Sequence, residues 1–373
     1  MTSPFDVEQL RSRVQKVLDD VLAHWADVLE SVSPDLAPLV ESAGELMRGG
    51  KRLRPAFCYW GWRGAGGSAD GADGEAIVRA ATGLELFQAA ALIHDDVMDD
   101  SDTRRGLPAI HRRFAELHRG SSWMGTPERF GEAAAILLGD LCLAWSDELL
   151  TSSGLEPASL AAGRPVFDRM RTELMGGQYL DMLEQARAGQ QAHAGPQAYA
   201  GRQPDAAERA RQVIRYKSAK YTIEHPLLLG GSLAGASPQL LAAYSAYGLP
   251  LGEAFQLRDD VLGVFGDPGQ TGKPAGDDLR EGKRTMLIAY AMEHASPAQQ
   301  SSLRRHLGDP RLDGASVAEL REVIVDTGAL ARVEALIDDL VGQAGVALDD
   351  APITEPTRSV LESLVQAATA RHT

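Results

Sequence analysis

Apolar residues recur at intervals of three and four along most of the chain, which is the spacing of one face of an α-helix. No run alternates apolar and polar residues between hairpin turns, as the strands of an antiparallel sheet do. The spacing predicts helices over residues 7–32, 76–98, 131–150, 165–184, 209–229, 238–264, 285–295, 317–327, 331–347 and 357–370. The fold class expected from this pattern is all-α.

The connections between these helices are rich in Gly, Pro, Ser and Asp, which favour turns. Residues 61–74 form one predicted loop, and residues 186–204, rich in Gln, Ala and Gly, form another that we expect to be mobile surface. No fixed-period repeat is present. We therefore expect one single domain over residues 1–373, with an N-terminal helix region at 1–35 and a mobile loop at 186–205.

The composition narrows the classes of function. Of the 373 residues 44% are apolar, which is enough for a sizeable core, and the net charge of −15 argues against nucleic acid as a partner. No run approaches the ~20 apolar residues of a membrane span. Cys58 and Cys142 lie in apolar surroundings without metal-site spacing, and the N-terminus carries no basic leader or apolar signal core. These features predict a cytoplasmic protein.

An apolar helix that ends in a cluster of carboxylates is the first candidate site. Asp95, Asp96 and Asp99 follow a run of apolar and small residues, and Asp95 and Asp99 share one helical face. Buried carboxylates are costly unless they are paired or bind cations, and Mg²⁺ is commonly held by one or two carboxylates together with substrate phosphates. Arg104 and Arg105 then supply guanidinium groups that match phosphate oxygens. A solvated acidic helix end followed by a basic turn is the alternative interpretation.

A second stretch repeats this design downstream. Gln256, Asp259, Asp260 and Gly263 fall at i, i+3, i+4 and i+7, which is one stripe of a helix. The segment that follows, residues 266–285, is rich in Gly and carries lysines, as a loop that covers a phosphate would. Two acidic helix ends that face each other would hold a small Mg²⁺ cluster, which grips a diphosphate and pulls on it as a leaving group.

Other stretches are less specific. Residues 49–55, Gly-Gly-Lys-Arg-Leu-Arg-Pro, fit a second phosphate group, although a helix N-terminus with solvated bases is the simpler interpretation of this stretch alone. Gln178 and Asp181 fit either the wall of a polar cavity or a hydrogen bond between packed helices. The sequence has no nucleophile elbow, Walker loop, Rossmann glycine fingerprint or zinc-ligand spacing.

Taken together, residues 49–55, 95–106 and 255–283 resemble the trans-polyprenyl (isoprenyl) diphosphate synthases in their order and spacing. The resemblance covers most of the chain, and the second acidic stretch is most similar to bacterial members that make geranylgeranyl diphosphate. It implies a single large helical bundle with a deep central cavity, assembled as a homodimer. The implied reaction is the Mg²⁺-dependent head-to-tail condensation of isopentenyl diphosphate with an allylic diphosphate, which releases diphosphate.

The resemblance also implies roles for individual residues. The first and second aspartate-rich motifs, which together would hold three Mg²⁺ ions, match Asp95, Asp96, Asp99, Asp259 and Asp260. The contacts to the allylic diphosphate match Arg104, Lys217 and Lys273, with Lys283 beyond the flap. The isopentenyl diphosphate site matches Lys51, Arg54, Gln88 and Arg105. Polar groups near the developing carbocation match Ser218 and Gln256.

Three positions depart from the family's pattern. Gly263 stands where many relatives have a third aspartate, which weakens the second metal site without emptying it. Ser218 stands where threonine is commoner, which is a mild change. Gln88 stands where many relatives have histidine, although glutamine can still donate a hydrogen bond to a phosphate.

The length of the product is argued from the helix behind Asp95, along which the apolar tail should run. Ala91, Ala90 and Phe87 precede Asp95 on roughly one face. The alanines are too small to stop a tail at fifteen carbons, whereas Phe87 would stop it near twenty, the length of a geranylgeranyl chain. Plain core packing is the alternative role for Phe87. We expect Phe87→Ala to lengthen the product and Ala90→Phe to shorten it.

Three other functions stay open. One is a synthase that makes farnesyl or longer prenyl diphosphates. Another is a non-catalytic subunit of a heteromeric synthase, which would be expected to lose metal or diphosphate residues that this chain keeps. The third is a class I terpene cyclase, which also uses an aspartate-rich helix but has a second metal motif of a different Asn/Ser/Glu type.

Overall fold

The computed structural model describes residues 8–191, 205–267, 276–309, 311–349, 351–353 and 355–369. The helices are α1 (Leu10–Val32), α2 (Ala37–Leu46), α3 (Leu53–Gly64), α4 (Gly71–Met98), α5 (Ile110–Gly120), α6 (Pro127–Thr151), α7 (Pro157–Gln191), α8 (Ala206–Val213), α9 (His225–Leu233), α10 (Pro238–Phe265), α11 (Asp277–Arg280), α12 (Met286–His294), α13 (Pro297–His306), α14 (Gly314–Asp326), α15 (Ala329–Asp349) and α16 (Thr357–Thr369). A 3₁₀ turn (Pro34–Leu36) precedes α2, a π-helical segment (Ile214–Glu224) joins α8 to α9, and strands β1 (Thr103–Arg104) and β2 (Leu107–Pro108) form an antiparallel hairpin. The expected all-α fold class is confirmed.

The chain forms two compact units. Unit 1 comprises Met1–Pro165, Pro226–Leu241 and Ile353–Val360. Unit 2 comprises Val166–His225, Ala242–Pro352 and Leu361–Thr373. The expectation of one single domain over residues 1–373 stays a prediction.

Helix α4 is the centre of unit 1, where it packs against α6, α3 and α1. Most of its 28 residues are apolar or small, so the helix can be buried on nearly every side. Helices α3 and α9 approach closely because Gly61 has no side chain, and a Cβ there would overlap the backbone carbonyl of Leu227. Trp25 of α1 stacks on Trp145 of α6 with ring centroids 5.4 Å apart. This packing fixes the end of α4, which carries the first acidic stretch.

Helix α4 is also long and apolar enough, by length and composition alone, to cross a membrane. However, 78% of its most apolar 18-residue window is buried inside the protein. Within the described ranges no second helix meets the same criteria. An apolar helix with this degree of burial is typical of a protein core, and we assign α4 to the core of unit 1.

The two cysteines of the chain are free thiols in unit 1. Cys58 on α3 and Cys142 on α6 are both fully buried. Burial raises the pKa of both thiols, that of Cys142 to about 12. Both side chains therefore pack as apolar core residues, as their sequence context predicts.

Unit 2 has its own core, built from apolar side chains of α8, α10 and α12–α15. Helix α12 packs against α8 and α15. Tyr247 of α10 is fully buried, and its hydroxyl donates a hydrogen bond to the backbone carbonyl of Leu361 at 2.9 Å. This core supports the end of α10, which carries the second acidic stretch.

The predicted helices are present with shifted ends, and five further helices are absent from the predicted set: α2, α3, α5, α11 and α13. Helix α3 shows no helical periodicity because nine of its 12 residues are buried, so it has no polar face to alternate with an apolar one. Residues 209–229, predicted as one helix, are divided between α8, the π-helical segment and α9.

Two loop predictions are wrong in part. Helix α3 continues to Gly64 and α4 begins at Gly71, so the loop predicted at 61–74 is reduced to residues 65–70. Helix α7 continues through Gln191, so residues 186–191 are helical. The rest of the predicted mobile loop, residues 192–204, lies outside the described residues. The β1–β2 hairpin escaped prediction because each strand has two residues, too few to show alternation.

Candidate active site

The β1–β2 hairpin folds the basic half of the first acidic stretch back onto the end of α4. The two strands pair so that Arg105 and Gly106 form a two-residue turn. Both residues have positive φ angles, +55° and +77°, as type I′ hairpin turns require. This turn leaves Arg104, the last residue of β1, beside the aspartates of α4.

The carboxylates at the end of α4 form an ion cluster with Arg104. Its Nε donates to Oδ1 of Asp96 at 2.9 Å, and its Nη2 donates to Oδ2 of Asp95 at 3.4 Å. Asp96 is 1% exposed, and its Oδ2 has no hydrogen-bond partner among the residues that the structure describes. Burial raises the pKa of Asp96 above its ordinary value, although the Arg104 guanidinium acts in the opposite direction. A buried carboxylate oxygen without a partner is well suited to bind a cation.

Residues 49–55 enter α3 around the buried side chain of Arg52. This residue has a φ of +53°, and its guanidinium donates hydrogen bonds to Glu85 of α4, to Gln15 of α1 and to the carbonyl of Met47. Arg52 and Glu85 are 4% and 6% exposed. The ion pair therefore ties the loop at 49–52 to α4 inside unit 1.

Two predicted phosphate ligands flank this anchored residue. Lys51 is exposed and Arg54 is half-buried. Sequence reasoning counted Arg52 only as one of three neighbouring cations and missed Glu85. A signal for Glu85 was present, because a lone carboxylate within the apolar run of α4 requires a buried partner.

A cavity of about 200 Å³ between α2 and the hairpin is lined by several arginines. Arg48, Arg104 and Arg105 form part of its wall, and Arg113 is paired there with Glu45. Nη1 of Arg105 donates to a backbone carbonyl of α2 at 3.0 Å. A concave surface with more guanidinium groups than carboxylates fits a ligand that carries phosphate. Arg48 was not singled out from the sequence.

In unit 2, Lys217 lies on the π-helical segment, a type of irregular helix that occurs often at functional sites. Its Nζ donates to Oδ2 of Asp181 on α7 at 2.5 Å. Helix α7 comes this close because a Cβ at Gly177 would overlap the backbone of Lys217. Gln178 and Ser218, the neighbours of these residues in the chain, are half-buried. The two polar positions noted on α7 are therefore part of the surroundings of Lys217.

The second acidic helix end, on α10, is partly buried. Asp259 is exposed, whereas Asp260 is 7% exposed and its Oδ1 accepts a hydrogen bond from Gln256 at 2.9 Å. Burial, and then the neighbouring carboxylate of Asp278, raise the pKa of Asp260 well above its ordinary value. Nζ of Lys283 donates to Oδ1 of Asp278 at 2.7 Å. Sequence reasoning did not single out Asp278.

The residues singled out from the sequence thus fall into two groups. Unit 1 holds Asp95, Asp96, Asp99, Arg104, Lys51, Arg54, Gln88 and Arg105. Unit 2 holds Lys217, Ser218, Gln256, Asp259, Asp260 and Lys283. Lys273 lies outside the described residues. Among the residues that the structure describes, no three His, Cys, Asp or Glu side chains converge closely enough to hold a metal ion by themselves.

The chain-length candidates on α4 differ in burial. Phe87 and Ala90 are both 0% exposed, whereas Ala91 is half-buried. Gln88, Ala91 and Asp95 are spaced by three and four residues and are all half-buried. The accessible face of α4 behind Asp95 therefore runs through Ala91 and Gln88, with Phe87 beside it.

The polyprenyl synthetase family model matches residues 37–324. The chain belongs to the polyprenyl synthetase family. It is 40% identical to a geranylgeranyl pyrophosphate synthase from Corynebacterium glutamicum, whose crystal structure is of a complex with isoprenyl diphosphate and magnesium. The two structures superpose with a TM-score of 0.84, and the match covers 96% of this chain and 99% of that one.

Two sequence relatives of this polyprenyl synthetase extend the comparison. It is 31% identical over 333 residues to the short chain isoprenyl diphosphate synthase of Methanothermobacter thermautotrophicus, covering 87% of this chain and 90% of the relative. It is 30% identical over 352 residues to the geranylfarnesyl diphosphate synthase of Aeropyrum pernix, covering 92% of this chain and 97% of the relative. The protein is therefore a prenyltransferase with trans-prenyl diphosphate synthase activity, as the sequence predicts. The relatives' names differ in the length of the prenyl chain.

The end of α4 offers this polyprenyl synthetase two kinds of group within one cluster. Asp95 and Asp96 present oxygens that accept a cation, and Arg104 presents donors that match phosphate oxygens. In the structure these groups neutralise one another.

Proposed function

We propose that this polyprenyl synthetase condenses isopentenyl diphosphate head-to-tail with an allylic diphosphate, in a Mg²⁺-dependent reaction, to make geranylgeranyl diphosphate. The observation that carries the proposal is the cluster at the end of α4, where a buried carboxylate oxygen without a partner and a guanidinium group lie side by side. A cation and a phosphate each find a suitable partner there. The 40% identical synthase with isoprenyl diphosphate and magnesium in its crystal structure supports the same interpretation.

The donor set fits Mg²⁺, a hard cation that takes oxygen ligands and usually keeps waters and phosphate oxygens in its shell. The residues proposed to hold three Mg²⁺ ions are Asp95, Asp96 and Asp99 on α4 with Asp259 and Asp260 on α10. In the described part of the chain no three carboxylates converge, which suits a cation that completes its shell with the diphosphate of the substrate. When bound, Mg²⁺ supplies positive charge that stabilises the departing diphosphate.

The cations of the chain act on the same leaving group. The side chains proposed to bind the allylic diphosphate are Arg104, Lys217, Lys273 and Lys283. When the allylic C–O bond breaks, its electron pair leaves with the diphosphate, and preorganised cations stabilise the charge that develops there. No general base is needed for this step.

The second substrate supplies the new bond. The side chains proposed to bind isopentenyl diphosphate are Lys51, Arg54, Gln88 and Arg105. The double bond of isopentenyl diphosphate attacks the allylic carbocation, and a proton is then lost to the released diphosphate. Ser218 and Gln256 would turn their dipoles towards the developing carbocation. Holding both substrates in line removes much of the entropic barrier.

The product length is proposed from the residues of α4 behind Asp95. The half-buried Ala91 leaves room for a growing tail, and the bulky ring of Phe87 stands one turn deeper. Each helical turn spans about 5.4 Å. The ring of Phe87, one turn beyond Ala91, is proposed to stop the growing tail at about twenty carbons. The named relatives include both geranylgeranyl and geranylfarnesyl synthases. The chain length of the product is therefore the quantity that product analysis has to determine.

The proposed assembly is a homodimer. Helix α6 exposes three large apolar side chains: Phe130, Ile136 and Leu137 are 38%, 43% and 61% exposed. We refer to these three residues as the α6 apolar face. A cluster of this kind on a helix is typical of an interface with another protein, and the proposed occupant is a second copy of this chain. The expected cytoplasmic location stays a prediction.

Product analysis tests the proposed function. The purified protein is incubated with Mg²⁺, isopentenyl diphosphate and, separately, dimethylallyl, geranyl or farnesyl diphosphate, and the products are dephosphorylated and sized. We expect geranylgeraniol as the dominant alcohol and no elongation when Mg²⁺ is removed by a chelator. Farnesol or much longer alcohols would contradict the product assignment and keep the reaction. No elongation from any starter would indicate the non-catalytic subunit of a heteromeric synthase.

A further inference from the structure

The imidazole of His111 is buried at the start of α5 without a hydrogen bond. His111 is 3% exposed, and in the described part of the chain neither of its ring nitrogens has a hydrogen-bond partner. Its backbone carbonyl lies against Gly131 of α6, where a Cβ would overlap the oxygen. A buried polar group that makes no hydrogen bond costs free energy in the folded protein. An unpaired imidazole of this kind is therefore a candidate for a functional role.

The surroundings of His111 include a carboxylate of the first acidic stretch. Burial and then Arg112 lower the pKa of His111, whereas the carboxylate of Asp96 acts in the opposite direction. Asp100 does not satisfy the imidazole, because its Oδ1 lies 4.0 Å from Nε2 of His111 and already accepts from Arg112 at 2.9 Å. Asp96 is the buried acceptor nearby, and its Oδ2 has no partner among the described residues.

In the structure Asp96 is held by Arg104, whose Nε donates to Oδ1 of Asp96 at 2.9 Å. The proposed function also gives Arg104 a second task, which is to bind the allylic diphosphate. Donors that turn towards phosphate oxygens are lost to the carboxylate. Asp96 then needs another donor, because a buried carboxylate that loses its hydrogen bonds is strongly destabilised.

We propose that His111 is a positioning residue of the first metal site, which replaces Arg104 as the hydrogen-bond donor to Asp96 when Arg104 binds the diphosphate. This inference rests on the proposed function, which assigns the diphosphate to Arg104 and Mg²⁺ to Asp96. One ring N–H donates to one carboxylate oxygen, directly or through a single water, and the other oxygen binds the ion. Mg²⁺ prefers oxygen ligands to an imidazole nitrogen, so His111 acts through Asp96.

The test compares the free protein with the liganded protein. The full-length protein is melted without ligand and is then titrated with Mg²⁺ at a fixed concentration of inorganic diphosphate, which gives the half-saturating Mg²⁺ concentration. His111→Phe keeps a planar ring and removes both nitrogens. Without ligand its melting temperature should equal or exceed that of the wild type, because the lost group makes no hydrogen bond there. The half-saturating Mg²⁺ concentration should rise about 10-fold or more, as when other groups that support a metal ligand are removed.

Three further variants separate the hydrogen bond from the volume of the ring. The side-chain amides of His111→Asn and His111→Gln can place an N–H near the positions of Nδ1 and Nε2. At least one of them should recover part of the Mg²⁺ affinity that His111→Phe loses. His111→Leu has a smaller side chain than phenylalanine and no donor, and it should bind Mg²⁺ as weakly as His111→Phe. If both amide variants are as weak as His111→Leu, the inference is wrong.

His118 is the matched control, since it is a buried histidine two turns further along α5. It is 4% exposed, and its Nε2 donates to the backbone carbonyl of Met124 at 3.1 Å. His118→Phe removes this hydrogen bond, so it should lower the melting temperature of the free protein and leave the half-saturating Mg²⁺ concentration unchanged. If His111→Phe behaves in the same way as His118→Phe, His111 only supports the fold.

Asp100→Asn is the control for the partner, because it removes the other carboxylate near His111. It should leave the half-saturating Mg²⁺ concentration unchanged. A loss of Mg²⁺ affinity as large as that of His111→Phe would show that the imidazole acts through Asp100, against the partnership with Asp96.

The exchange of donors can also be tested without ligand. In Arg104→Ala the donor to Asp96 is missing from the start, so His111 should hold Asp96 in the free protein as well. We expect His111→Phe to lower the melting temperature in the Arg104→Ala background, although it does not do so in the wild type. An equal response in both backgrounds would contradict the exchange.

These outcomes are distinct from those of product analysis. A wild-type protein that elongates no starter overturns the proposed function. A wild-type protein that elongates a starter, but whose Mg²⁺ titration is unchanged by His111→Phe, overturns only the role of His111.

Discussion

Phe87 and Ala91 lie one turn apart on α4 but differ in burial, since Phe87 is 0% exposed and Ala91 is half-buried. Removing the Phe87 ring deepens the space behind Asp95, so Phe87→Ala is expected to shift the products to chains longer than twenty carbons. The substitution costs about 3–5 kcal/mol of stability, and Phe87→Leu is the milder variant expected to shift the products in the same direction. The measurement is the distribution of prenyl alcohols from farnesyl diphosphate.

Ala91→Phe is the opposite change. A ring at this accessible position is expected to stop the chain near fifteen carbons, so farnesol should replace geranylgeraniol when the starter is dimethylallyl diphosphate. Ala90→Phe, proposed from the sequence for the same purpose, places the ring at a fully buried position and should also cost about 1–3 kcal/mol through overpacking. Unchanged products in the Phe87 and Ala91 variants would remove α4 from the control of chain length.

Arg52 supports the neighbouring phosphate ligands through buried contacts. Arg52→Ala leaves the carboxylate of Glu85 buried without its partner, and we expect the free energy of unfolding to fall by about 3–5 kcal/mol. The loop at 49–52 loses its anchor, so the KM for isopentenyl diphosphate should rise while the KM for the allylic substrate changes less. Urea unfolding and steady-state kinetics measure the two effects.

The double variant Arg52→Met with Glu85→Leu is the control for Arg52. Because both charges are removed together, most of the stability should return, as when other buried ion pairs are replaced by apolar groups. The KM for isopentenyl diphosphate should stay high, since the bonds from Arg52 to Gln15 and Met47 are still missing. A KM that recovers together with the stability would show that Arg52 only supports the fold.

At the scale of single residues, the sequence predicted which side chains lie together when helical spacing alone determines their positions. Asp95, Asp96 and Asp99 meet at one helix end because helical periodicity places them there. The contact between Gly263 of α10 and the carboxylate of Asp278 on α11 could not be predicted, because it joins two different helices and does not follow from residue spacing. The same is true of Arg52 and Glu85, which are 33 residues apart.

At the scale of elements, the contact of α7 with the π-helical segment depends on one glycine. A Cβ at Gly177 would overlap the backbone of Lys217. Gly177→Ala is expected to push the two helices apart, lower stability by about 1–3 kcal/mol and reduce kcat, because Lys217 moves away from Asp181 and from the proposed diphosphate position. Thermal unfolding and single-turnover kinetics measure the change.

Gly176 provides a matched control for this element. It is the preceding residue of α7, is exposed, and would place a Cβ in open space. Gly176→Ala should leave kcat unchanged and raise stability by up to about 1 kcal/mol, since alanine favours a helix more than glycine does. Equal effects of the two substitutions would contradict the close approach at Gly177.

At the level of element boundaries, the long helices α1, α6 and α10 were predicted closely. Helix α3 is buried on almost every side, so its sequence shows no alternation of apolar and polar residues with helical spacing. Residues 214–224 were predicted as helical, and in the structure they are π-helical and lie against Gly177 of α7 and Gly252 of α10. No local pattern specifies these contacts.

At the scale of the whole molecule, the α6 apolar face is expected to be covered by a second copy of the chain. Leu137 is its most exposed residue, with 61% of its surface exposed. Leu137→Lys places a charge in that interface and should convert the dimer to a monomer, because a buried unpaired charge is strongly unfavourable. Sedimentation equilibrium measures the mass of the assembly.

Val346→Lys on α15 is the matched control, since this side chain is 68% exposed and lies outside the α6 apolar face. It should leave the assembly unchanged. A wild-type monomer, or dissociation by both variants, would contradict the homodimer.

The order of the aspartate-rich and basic stretches was enough to predict the family from sequence, whereas the assembly depends on surfaces that only the folded chain defines.

Because Cys58 and Cys142 are buried, the rate at which they react with a thiol reagent reports how often unit 1 opens. Both cysteine thiols lie in unit 1, and unit 2 contains no cysteine. Because a maleimide or iodoacetamide reacts only with an exposed thiolate, the native protein stays unlabelled until unit 1 opens. The rate of alkylation therefore counts opening events of one unit alone, and a bound substrate that slows labelling is stabilising the part of the molecule that holds the first acidic stretch.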